Sequence, residues 1–173
     1  MAVTGEVRNY GSFQEMDQFI FVLFSGGFII FLTAAAAWAD GDSEVESFMH
    51  HYLNTFDTGH IWEITPLYSD PFYMLAPTGG IKIFEGARGI KKSIKDWKFY
   101  MKKAGVATSR YIQLNVKALS EDTALASTEV ERADEHGKVR ANTGATYTLI
   151  RVDGQWKIYL IHLHSRETVF NFQ

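Results

Sequence analysis

The hydrophobic and polar positions divide the chain into an uncharged N-terminal run and a longer region with periodic patterning. Residues 19–39 read FIFVLFSGGFIIFLTAAAAWA and contain no charged side chain. A helix over this run would be roughly 32 Å long at about 1.5 Å per residue, close to the thickness of the hydrocarbon core of a bilayer. The pattern predicts a short tail over residues 1–18, a transmembrane helix or signal segment over 19–39, and one domain over 40–173.

Three interpretations of the uncharged run stay open. Ala37, Trp38 and Ala39 form a small-x-small pattern that suits cleavage of a secretory signal after Ala39. The run is longer than the apolar core of a signal peptide, and residues 1–18 contain more acidic than basic side chains, which favours an uncleaved single-pass anchor. A buried core helix is the third interpretation.

The flanking charges predict an orientation for the first two interpretations. Arg8 is the only basic residue before the run, and residues 40–46 contain none. The positive-inside bias therefore places the N-terminus in the cytoplasm and the domain on the periplasmic or lumenal side. Small residues within the run would let another membrane helix approach closely. These candidate packing residues are Ser25, Gly26, Gly27, Ala34 and Ala37.

The first part of the domain has mainly helical periodicity, and the last part has the alternation of strands. Ser43 and Glu46 form a capping box, followed by an apolar stripe that ends near residue 58. A short helix over 61–68 and a second long helix from Gly86 to Gly105 follow. Strands are predicted over 72–76, 81–84, 112–118, 123–132, 139–152 and 156–165, with a hairpin turn at Asp153 and Gly154. This order predicts an α+β fold, with the helices on one face of a curved antiparallel sheet.

Composition and charge narrow the function classes. The 173 residues include no cysteine, which excludes disulfides, thiolate zinc sites and cysteine nucleophiles. The net charge is −3, but residues 88–103 hold seven basic side chains and one acidic one. This basic helix could bind anionic lipid head groups or an acidic partner, or it could be a solvated face. Its candidate residues are Arg88, Lys91, Lys92, Lys95, Lys98 and Lys102.

Several motifs resemble the SnoaL-like branch of the nuclear transport factor 2-like superfamily over roughly residues 43–166. The most specific is the closing hairpin, Asp-Gly-x-Trp-x-Ile over 153–158, with His162 six residues after the Trp. The sequence at 68–70, 77–80, 85–90, 122–126 and 144–149 adds looser matches. The resemblance implies a cystatin-like roll, in which a strongly bent antiparallel sheet wraps around the first long helix and a pocket lies at the open end. Members include isomerases, dehydratases, cyclases and hydrolases, and many others are non-catalytic, so the fold does not select the function.

The candidate chemistry lies at the predicted pocket. If Trp156 and Ile158 face the core, strict alternation places His162 and His164 on the same face, where they could act as acid and base. Asp57 has the right chemistry to join them, as in the dehydratase members. The alternative is that these groups only make structural hydrogen bonds. The expected pocket-lining residues are Tyr52, Phe56, Tyr68, Tyr147, Trp156 and His162.

Other polar side chains are expected to be structural. Glu129, Glu131 and Arg132 are interpreted as a solvated strand face. Composition alone would allow a metal site from His50, His51, His60, His162 and His164. No metal is expected, because the adjacent His50 and His51 cannot share one helix face, and no cofactor is expected either. The sequence contains no nucleic-acid motif.

Our leading functional expectation is a membrane-anchored, non-catalytic accessory subunit that contacts membrane lipids and other membrane-protein subunits. The alternatives are a lyase- or isomerase-type enzyme acting on a small apolar molecule, and a carrier of a hydrophobic ligand. A homodimer through the sheet is a further expectation.

Overall fold

The computed structural model describes residues 34–172 as an α+β domain with six strands and three α-helices. The helices are α1 (Ala34–Thr58), the single turn α2 (Ile61–Ile64) and α3 (Gly86–Lys103), and 3₁₀ turns cover Thr65–Leu67 and Arg166–Thr168. The strands are β1 (Tyr68–Leu75), β2 (Ile81–Phe84), β3 (Thr108–Ala118), β4 (Thr123–Ala133), β5 (Val139–Val152) and β6 (Gln155–His164).

Helix α1 begins earlier than its sequence predicts. The capping box at Ser43 and Glu46 predicted a helix start there, but the helix is continuous from Ala34. The Oδ1 atom of Asp42 accepts a hydrogen bond from the backbone N–H of Ala118 at 2.6 Å. This tertiary bond ties the helix to the end of β3. Ser43 and Glu46 lie within the helix rather than at its start.

The uncharged run lies mostly outside the described residues. Ser25, Gly26 and Gly27 lie there, whereas Ala34 and Ala37 belong to the first turns of α1. None of the helices within residues 34–172 combines the length and the hydrophobicity that crossing a bilayer requires.

The sheet is mixed, and the fully antiparallel prediction is therefore wrong at one pairing. Its strand order is β2-β1-β6-β5-β4-β3. Strands β3 to β6 form an antiparallel meander, but β1 pairs with β6 in parallel, with Met74 opposite Ile161. The first hairpin thus extends the sheet beyond the last strand, and α3 carries the chain back to the opposite edge at β3.

The core lies between the helices and one face of the sheet. Helix α1 contributes Val45, Met49, Tyr52 and Phe56 to the core, and their spacing is that of the predicted apolar stripe. Helix α3 adds Ile90 and Ile94. The strands contribute mainly small or branched inward residues such as Ala124, Ala126, Ala145, Leu149 and Ile158. Small side chains on β4 and β5 leave room for the aromatic rings of α1.

The predicted hairpin turn between β5 and β6 is present. Asp153 has φ 52° and Gly154 has φ 74°. Both values are positive, as a two-residue turn of the I′ type requires, and Asp tolerates this conformation better than most residues.

Candidate functional site

A β-bulge in β6 decides which side chains reach the interior. Leu149 pairs with Ile158, but the next residue along β5, Thr148, pairs with Leu160, so Tyr159 is an extra residue in β6. An extra residue reverses the inside–outside alternation that follows it. Trp156 and Ile158 face inward before the bulge, whereas Ile161 and Leu163 face inward after it.

His162 and His164 therefore lie on the outer face of the sheet, contrary to the expected alternation. The Nε2 atom of His164 lies 2.9 Å from the hydroxyl of Thr146, and its Nδ1 atom lies 2.7 Å from the backbone oxygen of Ser165. The two imidazole rings meet edge to face at 5.9 Å. His164 connects the end of β6 to the neighbouring strand, and neither ring reaches the interior.

An enclosed cavity lies between α1, α3 and the inner face of the sheet. Among the residues expected there, Tyr52, Phe56, Tyr68 and Tyr147 line it, whereas Trp156 and His162 do not. Its other lining residues are Leu53, Phe72, Met74, Ser93, Ile94, Trp97, Val130, Arg132, Thr143, Ala145, Ile161 and Leu163.

The cavity is compact. The empty space in and in front of the cavity is about 620 Å³, which includes open solvent, and the enclosed room for a water-sized molecule is about 40 Å³. The smaller value describes the enclosed room and corresponds to about three water molecules.

The polar edge of the cavity is a group of buried tyrosines. The hydroxyls of Tyr52 and Tyr68 lie 2.8 Å apart, and the ring of Tyr52 meets those of Tyr68 and Tyr147 edge to face, each at 5.9 Å. Burial is the main cause that raises the pKa of all three phenols above the ordinary value. All three phenols therefore keep their protons near pH 7, and each hydroxyl can donate a hydrogen bond.

Arg132 is the one charged residue among the described residues of the cavity wall, whereas the sequence predicted that it would lie on a solvated strand face. Inward residues of β4 alternate through Ala126, Thr128 and Val130, and the same alternation turns Arg132 inward. Only 7% of Arg132 is exposed. Its Nη1 atom donates to the hydroxyl of Ser109 at 2.9 Å, whereas its Nε atom is buried without a hydrogen-bond partner among the described residues.

Asp57 lies outside the cavity, at the end of α1, where it holds the start of β3. Its Oδ2 atom accepts the backbone N–H of Ser109 at 2.5 Å, and its Oδ1 atom accepts the Ser109 hydroxyl at 2.9 Å. Asp57 thus reaches Arg132 only through Ser109. The structure does not bring Asp57, His162 and His164 together at one point.

The basic face of α3 is partly occupied by internal contacts. Lys98 Nζ donates to the backbone oxygens of Phe56 and Gly59 at 2.8 and 3.0 Å, so it binds the C-terminal end of α1. Lys92 forms an ion pair with Asp96 at 2.6 Å. Arg88, Lys91, Lys95 and Lys102 remain on this face, and an anionic partner for them stays a prediction.

Two further observations bear on partners and metals. The edge strand β2 exposes Ile81 and Ile83, by 66% and 56%, which is consistent with a homodimer through the sheet, but that pairing stays a prediction. Within residues 34–172, no three His, Asp or Glu side chains cluster so that they could hold a metal ion.

The chain belongs to a family of NTF2-like proteins. The model of the family described as NTF2-like protein (DUF6841) matches residues 43–166, which is most of the chain. A comparison with curated proteins finds no match.

Solved structures share the fold at low sequence identity. Aln2 from a Streptomyces species is 15% identical, with a TM-score of 0.57 over 72% of this chain and 90% of that one. An NTF2-like protein of unknown function from Pseudomonas putida is 19% identical, with a TM-score of 0.56 over 78% and 94%. A protein of unknown function with a cystatin-like fold from Nostoc punctiforme is 13% identical, with a TM-score of 0.54 over 80% and 96%. At these identities the likeness concerns the fold alone.

Proposed function

We propose that the domain binds a small, largely apolar molecule in the cavity between α1, α3 and the sheet. The observation that carries this proposal is the composition of the cavity wall, which is aromatic and aliphatic with a few convergent polar groups. Such walls are typical of small-molecule sites, where apolar contacts supply affinity and a few polar groups fix the orientation. The polar residues of the wall include Tyr52, Tyr68 and Arg132.

Ligand-observed NMR with small probes tests this proposal. The probes are propionate, propionamide, benzoate, benzamide and benzyl alcohol, a set that covers two sizes and both charge states. We expect saturation transfer from the protein to at least one probe. Transfer to none of them would overturn the proposal.

A cavity-filling variant shows whether a bound probe occupies this cavity. Ala145 is 5% exposed and lies in the wall, so Ala145→Leu should fill the space and abolish the signal. Thr148→Leu places the same side chain on the outer face of β5 and is the matched control. Equal binding by both variants would show that the probes bind elsewhere.

The enzymatic alternative has less support in this geometry. An acid–base reaction in the cavity would need a titratable group near neutrality that touches the ligand. His162 and His164 lie on the other face of the sheet, and Asp57 points to Ser109. Binding without catalysis therefore fits the described side chains better than a lyase or isomerase does.

Membrane attachment is a second proposal, and it depends on the uncharged run over residues 19–39. In that proposal the domain is an accessory subunit on the periplasmic or lumenal side. We also propose that the domain is related to the SnoaL-like branch, and the closing hairpin supports this relation. N-terminal sequencing of the mature protein and carbonate extraction of membranes test it. A mature chain that begins after Ala39, or complete extraction into the soluble fraction, would overturn it.

A further inference from the structure

We propose that the cavity ligand carries a carboxylate, and that Arg132 is the residue that binds it. This inference rests on the proposed function, because it names the chemical class of the molecule that the cavity takes. It starts from an unusual feature of β4, a buried arginine in an otherwise uncharged cavity wall.

The guanidinium is held in place but not neutralised. One of its donors is used, by the hydroxyl of Ser109, and the buried Nε donor has no partner among the described residues. No Asp or Glu is among the cavity-lining residues within the part of the chain that the structure describes. Asp57, which also binds Ser109, contacts the hydroxyl and the backbone N–H of that residue rather than the arginine.

A buried, unpaired cation is costly to the fold unless something else compensates it. Arginine keeps its charge in proteins, so it cannot escape the cost by losing a proton. Buried charges in proteins are therefore paired with an opposite charge or coordinated. An anionic ligand in the cavity would supply that missing charge.

The geometry favours a carboxylate among anions. Its planar pair of oxygens matches the planar donors of a guanidinium. A carboxylate also brings one negative charge, which balances one arginine, whereas a phosphate would bring more charge than this wall can neutralise. The enclosed room, about 40 Å³ for the centre of a water-sized sphere, suits a compact acid with an apolar body.

The tyrosines supply a second donor for the same ligand. In the bond between Tyr52 and Tyr68, one hydroxyl donates to the other, so that bond does not use the proton of the accepting hydroxyl. Both hydroxyls belong to residues of the cavity wall, as Arg132 does. The wall thus combines a cation, a neutral hydroxyl donor and apolar surface.

Matched acid and amide probes test the inference. Dissociation constants are measured by NMR titration at pH 7 for propionate against propionamide and for benzoate against benzamide. Each pair has nearly the same shape, so the ratio isolates the contribution of the negative charge. We expect the wild-type protein to bind the better acid at least tenfold more tightly than its amide.

Variants then assign that preference to Arg132. Arg132→Gln should remove the tenfold ratio while changing the affinity for the amide much less, and Arg132→Lys should keep part of the ratio. Arg110→Gln is the matched control, because Arg110 is on the neighbouring strand with a side chain that is 71% exposed. A preference that survives Arg132→Gln, or disappears in Arg110→Gln, would overturn the assignment.

The two proposals fail in different ways. If amides bind as tightly as acids to the wild-type protein, the carboxylate inference is overturned and the small-molecule function stands. If no probe binds, the function itself is overturned, and the inference with it. The wild-type ratio needs no variant, so a poorly folded Arg132→Gln protein does not prevent a decision.

Discussion

Asp57 and Arg132 carry opposite charges and share a single hydroxyl, that of Ser109, instead of forming a direct ion pair. The carboxylate accepts the Ser109 hydroxyl at 2.9 Å, and the guanidinium donates to the same oxygen at 2.9 Å. This arrangement joins the end of α1, the start of β3 and the inner face of β4. It fixes the arginine, whose Nε donor is buried without a hydrogen-bond partner among the described residues.

Removing the shared hydroxyl should therefore weaken the fold. In Ser109→Ala the backbone N–H still donates to Asp57, but one guanidinium donor and one carboxylate oxygen lose their partner. We expect the free energy of unfolding to fall by about 1–3 kcal/mol, because hydrogen bonds to charged groups are of that order. Urea denaturation followed by circular dichroism measures the change.

Thr108→Ala is the control for this measurement. Thr108 is the preceding residue of β3 and is exposed, so its truncation should change the free energy of unfolding by no more than about 0.5 kcal/mol. Equal effects of the two substitutions would show that Ser109 has no special role.

Gly144 occupies a second position that tolerates little change. A Cβ atom added there would lie 2.5 Å from the backbone oxygen of Ser165 and 2.6 Å from Nδ1 of His164. The backbone oxygen cannot move without displacing the end of β6. We expect Gly144→Ala to lower the free energy of unfolding by about 1–3 kcal/mol through overpacking.

The matched substitution is Gly80→Ala, at a glycine where an added Cβ atom meets nothing within 4 Å. It should leave stability within about 0.5 kcal/mol of the wild-type value. Thermal unfolding of the two variants side by side makes the comparison. A stable Gly144→Ala protein would contradict the close approach of β5 to the Ser165 backbone.

Local periodicity predicted most of the elements. The strands over 81–84 and 139–152 have the predicted bounds, and α3 ends before Gly105, whose φ of 73° is left-handed. These elements could be predicted because their signals are local: alternation, helical spacing, and glycine where the backbone needs a positive φ. The parallel pairing of β1 with β6 has no local signal, because it joins strands far apart in sequence.

The candidate site was less predictable, for two different reasons. The bulge at Tyr159 inserts one residue without any glycine or proline to mark it, and this reversed the predicted faces of His162 and His164. Arg132, in contrast, follows the alternation of β4 without interruption. Its position was predictable from the pattern, but its charge suggested a solvated face.

The outer position of the histidines gives a direct prediction about the cavity. His162→Gln and His164→Gln should each leave the affinity for the best-bound probe within about twofold of the wild-type value, because substitutions without shared partners act independently. NMR titration measures the affinities, and Ala145→Leu serves as the positive control for lost binding. A tenfold loss in either histidine variant would contradict the assignment of these rings to the outer face.

The buried tyrosines predict how stability responds to alkaline pH. Burial raises the pKa of Tyr52, Tyr68 and Tyr147 in the folded protein, whereas the unfolded chain has the ordinary value of about 10. Below pH 10 both states keep the phenol protons, so this contribution to stability is constant. As the pH rises from about 10 toward the folded-state pKa, only the unfolded chain releases protons, and the free energy of unfolding falls.

Tyr52→Phe tests this contribution. Without one buried phenol, the free energy of unfolding should decline less steeply above pH 10 than in the wild-type protein, by about 1.4 kcal/mol per pH unit. Tyr100→Phe is the control, because Tyr100 is 62% exposed on α3 and should leave the slope unchanged. Denaturation curves between pH 9 and 11.5 give the slopes. Equal slopes in the wild-type and Tyr52→Phe proteins would mean that the Tyr52 phenol ionises as readily in the folded protein as in the unfolded chain. That result would contradict the burial of the Tyr52 hydroxyl.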